Sequence, residues 1–168
     1  MNSVVITGIA RKSSDILLRG TFFRMYDFFI NSLSVPVISV QPLNEGIITI
    51  ECQAYSYFSK DYKGRKLNLC LLFVGYTDVL PHVILSGHVY KVGKFVNSGK
   101  GCYVPITVCV GDASNASYIP CFCKNKLAEK AKYLTPPVPV EFEGELCLKD
   151  SPRIKIKRFL KLYDRCSY

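Results

Sequence analysis

Apolar and polar positions alternate with a period of two through most of the chain. The alternation predicts strands at Ser3–Ile9, Thr21–Ile30, Ile47–Phe58, Lys66–Gly75, His82–Val96, Cys102–Val110, Tyr118–Cys123, Val138–Leu148 and Arg153–Leu162. These segments are rich in Val, Ile, Tyr, Phe and Thr, the residues that suit a pleated, half-buried surface. Turn chemistry separates them at Asn97-Ser-Gly-Lys-Gly101, Asp61-Tyr-Lys-Gly64, Asp112-Ala-Ser-Asn115 and Asp150-Ser-Pro152. One segment has clear helical spacing. Leu127, Ala131 and Leu134 recur at i, i+4 and i+7 behind Asn125 as a candidate cap, and Lys124, Lys126, Lys130 and Lys132 take the outer face. Pro136 and Pro137 stop it. Phe22–Leu33 can be read as helix or strand from its pattern alone.

An internal repeat favours strand there. Shifted by 79 residues, Ser3-Val-Val-Ile-Thr-Gly-Ile-Ala-Arg-Lys12 lies on His82-Val-Ile-Leu-Ser-Gly-His-Val-Tyr-Lys91 without a gap. Gly8 meets Gly87. Further on, Gly46-Ile-Ile-Thr-Ile-Glu51 matches Pro139-Val-Glu-Phe-Glu-Gly144, and both run into a basic hairpin and a last strand. Thr21–Ile30 then corresponds to the strand at Tyr103–Val110. Each half has about five strands. The second carries its helix between strands three and four, where the first has only Pro42-Leu-Asn-Glu-Gly46. That order is the order of a five-stranded OB-fold barrel. The expected fold is all-β with one short helix: tandem OB barrels, a degenerate one at 1–79 and a complete one at 80–168, meeting near Tyr76–Pro81.

Charge and composition narrow the function. The chain has 168 residues, 22 Lys+Arg against 13 Asp+Glu, and a net charge of +9, which favours a polyanionic partner. Residues 1–79 hold eight basic and six acidic side chains, residues 80–168 fourteen and seven, so the excess lies in the second half. No apolar run reaches the ~18–20 residues of a helical membrane span, and the N-terminus has no secretory pattern. An intracellular, cytoplasmic protein is expected. Eight cysteines, at 52, 70, 102, 109, 121, 123, 147 and 166, include no Cys-x-x-Cys. They read as small reduced hydrophobes, with a metal or redox role as the less favoured alternative.

Catalytic signals are poor, and no enzyme activity or cofactor is expected. The chain lacks a Walker-type glycine loop. His82 and His88 face no obvious nucleophile pattern. Glu141, Glu143 and Glu145 alternate on one strand and fit an exposed face beside basic strands better than a metal site. Asn115-Ala-Ser117 matches a glycosylation sequon, which means nothing without secretion.

Single-strand binding asks for cations that track phosphates and aromatic faces that stack bases. Three places interleave the two. Tyr55, Tyr57, Phe58, Lys60, Tyr62, Lys63, Arg65 and Lys66 form one hairpin. Lys91, Lys94, Phe95, Lys100 and Tyr103 form another, and Tyr118, Phe122 and Lys124 follow on the next strand. Lys155 and Lys157 lie in the alternating run Arg153-Ile-Lys-Ile-Lys-Arg158. Each aromatic can instead face the core, and each cation can be part of a solvated face.

The second half resembles bacterial single-stranded DNA-binding proteins. His82-Val-Ile-Leu-Ser-Gly-His-Val89 is similar to their opening strand. Tyr118-Ile-Pro-Cys-Phe-Cys-Lys-Asn-Lys-Leu-Ala-Glu129 is similar to their strand-into-helix signature, and Val138-Pro-Val-Glu-Phe-Glu-Gly-Glu-Leu146 to the Val-x-Val-x-Gly-x-Leu strand that follows. The match covers 82–163 well and 1–75 weakly. It implies single-stranded DNA as partner in replication, recombination or repair, a homodimer of two-barrel chains, and Phe122 and Tyr118 near stacking positions. It also implies that Phe122 faces DNA while Cys121 and Cys123 are buried. Two departures stand out: there is no tryptophan to stack bases, and Leu162-Tyr-Asp-Arg-Cys-Ser-Tyr168 is not the family's acidic tail. A primosomal or other replication accessory protein acting through protein partners, and an RNA-binding OB protein, remain alternatives.

Overall fold

A computed structural model describes residues 1–162; the last six residues of the chain, Cys166 among them, lie outside it. Eleven strands and one helix follow in order: β1 (Asn2–Leu18), β2 (Thr21–Ile30), β3 (Leu33–Ser39), β4 (Ile47–Asp61), β5 (Gly64–Tyr76), β6 (His82–Val92), β7 (Val96–Ser98), β8 (Gly101–Val110), β9 (Ser117–Lys124), α1 (Asn125–Ala131), β10 (Val138–Cys147) and β11 (Arg153–Leu162).

Strand pairing closes two rings. In the first half β1 pairs with β2 and β4, β2 with β3, β4 with β5, and β3 with β5 in parallel. In the second, β6 pairs with β8 and β10, β8 with β9, β10 with β11, and β9 with β11 in parallel. The connectivity is identical once β7, a short addition to β8, is set aside. The repeat therefore has a physical basis. Gly8 and Gly87 occupy the same place: a Cβ on Gly8 would lie 2.1 Å from the Phe29 carbonyl oxygen, and one on Gly87 2.2 Å from that of Cys109. Each glycine lets the first strand of its ring cross close over the second.

The structure corrects the sequence reading in five places. First, β1 continues nine residues beyond Ile9. That stretch, Ala10 to Leu18, is mostly polar and exposed, and it is held by pairing with β2 rather than by a buried face. Second, β3 is a strand the alternation did not predict, and Pro36 lies inside it. Pro36 is tolerated because β3 meets β5 only at Val37 and Ile38, so its absent N–H breaks no bond on that side. Third, the match of β4 to β10 slips by one residue. Gly8 stands opposite Ile48 and Gly87 opposite Val140, so Ile48 corresponds to Val140 and not to Glu141. The corrected register puts the fully buried Ile50 on the fully buried Phe142. Fourth, Asn125 does not cap α1. Lys124 holds the cap position with no side-chain bond, while Asn125 has φ of 52° and directs Oδ1 at Gly101. His82–Val96 also breaks at Gly93, whose N–H donates to the Pro105 carbonyl at 2.8 Å.

The core is continuous through both rings, from Val4, Phe28 and Ile50 to Leu85, Ile106 and Phe142. Cys52, Cys121 and Cys123 belong to it, and burial pushes the Cys52 and Cys123 thiols up to about 12. The rings are joined where β1 pairs antiparallel with β6, Val4 opposite Val83. Two serines add to the seam. The Ser56 N–H donates to the Ser117 hydroxyl at 3.2 Å, and the Tyr118 N–H to the Ser56 hydroxyl at 3.1 Å.

Candidate nucleic-acid interface

The face built by the second and third strands of an OB barrel is its usual ligand surface, and in this chain the fifth strand, paired in parallel with the third, extends it. Here those strands are β2, β3 and β5 in the first ring, and β8, β9 and β11 in the second. The registers equate individual positions. Ile38 pairs with Met25 and Leu72, and Phe122 pairs with Pro105 and Lys155. Counting along each strand, Phe23 matches Tyr103, Ile38 matches Phe122, and Cys70 matches Arg153.

In the first ring this face is an open groove. Phe23, Met25, Ile38, Cys70 and Leu72 form its floor, with Ile16, Leu18 and Arg19 of the β1–β2 hairpin on one side and Tyr55 and Tyr57 of β4 on the other. Its volume is about 610 Å³. The apolar surroundings raise the Tyr57 hydroxyl above its ordinary pKa, chiefly by desolvation. Side-chain alternation divides the predicted first hairpin between two faces. Tyr55 and Tyr57 point into the groove, and Lys66, opposite Ser59, is the cation on their side. Phe58, Lys60 and Arg65 take the other side, where the Arg65 guanidinium lies 3.8 Å above the Phe58 ring. Tyr62 stands 91% exposed at the hairpin tip with Lys63 Nζ 5.5 Å from its ring.

In the second ring the same face is filled. Phe122 does lie opposite to Cys121 and Cys123, as alternation requires, for both cysteines join the barrel core and Phe122 does not. Yet Phe122 is only 1% exposed. The Arg153 guanidinium covers it at 4.6 Å, Tyr103 flanks it at 5.4 Å, and Lys124 Nζ stands at 5.9 Å. Arg153 also donates to the Tyr103 hydroxyl, and its Nε is buried without a hydrogen-bond partner. The ring has the direction expected of it, and Arg153 lies across it.

The remaining predicted residues scatter. Tyr118 packs edge-on against Tyr90 at 4.8 Å. Phe95 packs on the core beneath Lys132, whose Nζ is 4.3 Å from its ring. Lys91, Lys94, Lys100 and Lys124 are exposed. Lys155 and Lys157 both pair with Glu145, at 3.0 and 2.9 Å, while Glu143 takes Arg158 and Glu141 takes Lys161. Four of the β11 cations are therefore paired with the three glutamates of β10, as the exposed-face reading of those glutamates expects. Sequence reasoning missed Arg19, Phe23, Met25 and Ile38, which a longer β1 and a recognised β3 would have brought to notice. It treated Arg153 as one cation of the alternating β11 run, either a phosphate contact or part of a solvated face, and did not place it at the site.

Among the described residues, no group of three His, Cys, Asp or Glu side chains could hold a metal ion, and no helix is long and apolar enough to cross a membrane. No protein-family model matches the chain, and no curated protein matches its sequence. Solved structures do match. The wild-type single-stranded DNA binding protein from Thermus aquaticus superposes with a TM-score of 0.69 at 15% identity, covering 95% of this chain and 91% of that one. A deletion mutant of the same protein gives 0.70 at 14% identity, with 95% and 93% covered. Across nearly its whole length, the chain thus shares the fold of that protein: OB barrels in tandem.

Proposed function

We propose that the chain binds single-stranded DNA with little sequence preference and serves its replication, recombination or repair. The observation that carries this reading is the open groove of the first ring. It offers Phe23, Tyr55 and Tyr57 as platforms, and Arg19 and Lys66 beside them as phosphate contacts. Stacking contributes ~1–3 kcal/mol per base and tolerates any sequence, because every base has a π-face. Cations at the rim release counterions from the strand and make binding salt-dependent. This is binding chemistry and involves no catalytic step or cofactor. The likeness in fold to a protein named for single-stranded DNA binding supports the reading. We also infer that the chain divides at about residue 80 into two barrels. By the same resemblance we infer a homodimer that acts in the cytoplasm, on nucleoid DNA.

The test is fluorescence anisotropy with labelled oligo-dT, oligo-U and a duplex, at 50 to 200 mM salt. Tightest binding to oligo-dT is expected, with log K falling linearly against log salt. Equal affinity for duplex, or an affinity indifferent to salt, would refute the reading. Tighter binding to oligo-U would transfer it to RNA.

A further inference from the structure

The two ligand faces occupy equivalent positions but are not in equivalent states. We propose that base binding is confined to the first barrel, and that Arg153 closes the corresponding face of the second. The proposal rests on the single-strand reading above and specifies where on the chain it applies.

Three observations support it. The first is the residue-by-residue correspondence. Phe23, Ile38 and Cys70 leave a groove of about 610 Å³, whereas Tyr103, Phe122 and Arg153 at the same positions fill it. A small thiol on β5 opens the face; a long guanidinium on β11 covers it. The second is how Arg153 is held. It is stacked 4.6 Å from Phe122 and 5.5 Å from Tyr103, donates to the Tyr103 hydroxyl, and lies 3.9 Å from Asp150. A base could reach Phe122 only by displacing the guanidinium from all three neighbours. The third is the chemistry of the groove. Its aromatic and aliphatic lining beside Arg19 and Lys66 matches a planar base attached to a phosphate.

The distribution of charge points the other way, since the second half carries most of the excess. The pairing of Lys155, Lys157, Arg158 and Lys161 with glutamates removes much of that excess locally. What remains on the second barrel, Lys100 and Lys124 among others, can hold phosphates without stacking bases.

The test uses the full chain and oligo-dT carrying bromodeoxyuridine, photocrosslinked and mapped by peptide mass spectrometry. Crosslinks are expected on Phe23, Tyr55 or Tyr57. Crosslinks on Tyr103 or Phe122, alone or beside those, would overturn the proposal. In parallel, Tyr57→Ala should weaken oligo-dT binding by about 5- to 150-fold, the equivalent of one stacked base. Arg153→Ala should leave affinity unchanged or raise it. A five-fold or greater loss on Arg153→Ala, or an unaltered affinity for Tyr57→Ala, would equally overturn it. If the unaltered chain binds no oligo-dT, the single-strand reading itself fails and this assignment with it. Retained affinity with second-barrel crosslinks would defeat only the asymmetry.

Discussion

Replacing Phe122 with alanine separates a stacking platform from a packed side chain. An exposed platform would lose ~1–3 kcal/mol of binding and almost no stability on truncation. In the structure the ring is only 1% exposed, beneath Arg153 and beside Tyr103. Removing a buried Phe costs ~3–5 kcal/mol of folding free energy. The lower end applies here, because a flexible guanidinium covers the ring and can settle into part of the space. The lost cation–π contact, ~0.5–2 kcal/mol, falls within that figure. At about 2–4 °C per kcal/mol for a chain of this size, a loss of about 3 kcal/mol lowers Tm by about 6–12 °C. The assay is circular dichroism melting of wild type and variant, with oligo-dT affinity measured well below either Tm. The expected pair of results is a clear fall in Tm and an affinity within two-fold of wild type. An unchanged Tm with affinity lost would show that Phe122 meets the strand directly, and would refute the argument from its cover.

Other consequences can be measured. Lys66→Ala should make the slope of log K against log salt shallower by about 0.7, whereas Lys155→Ala and Lys157→Ala, whose ammonium groups pair with Glu145, should change it less. Hydrogen bonds from Lys157 and Lys155 hold the Glu145 carboxyl below its ordinary pKa, so its contribution to stability is present above the unfolded pKa near 4.5 and is lost as pH falls through the folded value; Glu145→Gln should flatten that acid limb in pH-dependent melting. Burial raises the Cys52, Cys70 and Cys123 thiols to about 12, so at pH 8 in native conditions alkylation should spare them, and labelling should appear only on unfolding. Gly87→Ala should destabilise strongly, because its Cβ would stand 2.2 Å from a backbone oxygen that cannot yield without separating β6 from β8; melting of that variant checks it.

The sequence carried the fold further than it carried the site. Period-two alternation located Arg153–Leu162 to the residue, and the Gly8–Gly87 repeat settled Thr21–Ile30 as a strand and identified the duplicated barrel, because both follow from local patterning and close backbone approach. What escaped was decided by partners distant in the chain. The Ala10–Leu18 arm of β1 has no apolar alternation and exists because β2 pairs with it. Pro36 lies inside β3, whose far side needs no N–H at that point. Alternation correctly separated Phe122 from Cys121 and Cys123, but no local pattern could show that Arg153, thirty-one residues on, lies across the ring. Net charge was similarly deceptive: counting cations by halves could not reveal that the glutamates of β10 stand beside those of β11.

The pairing of β1 with β6 has a consequence for how the molecule forms and fails. β1 serves β6 with residues 2–5, β4 with residues 4–9 and β2 with residues 9–18, while β6 serves β1, β10 and β8 in turn. Neither strand belongs to one ring alone. Severing the chain near residue 80 would therefore leave Asn2–Val5 on one fragment and His82–Leu85 on the other as open strand edges, each a template for the other and for further copies of itself. Isolated fragments should pair with one another or aggregate rather than persist as monomers. The intact chain should lose both rings in a single cooperative step, since neither can unravel without taking away the other's neighbouring strand.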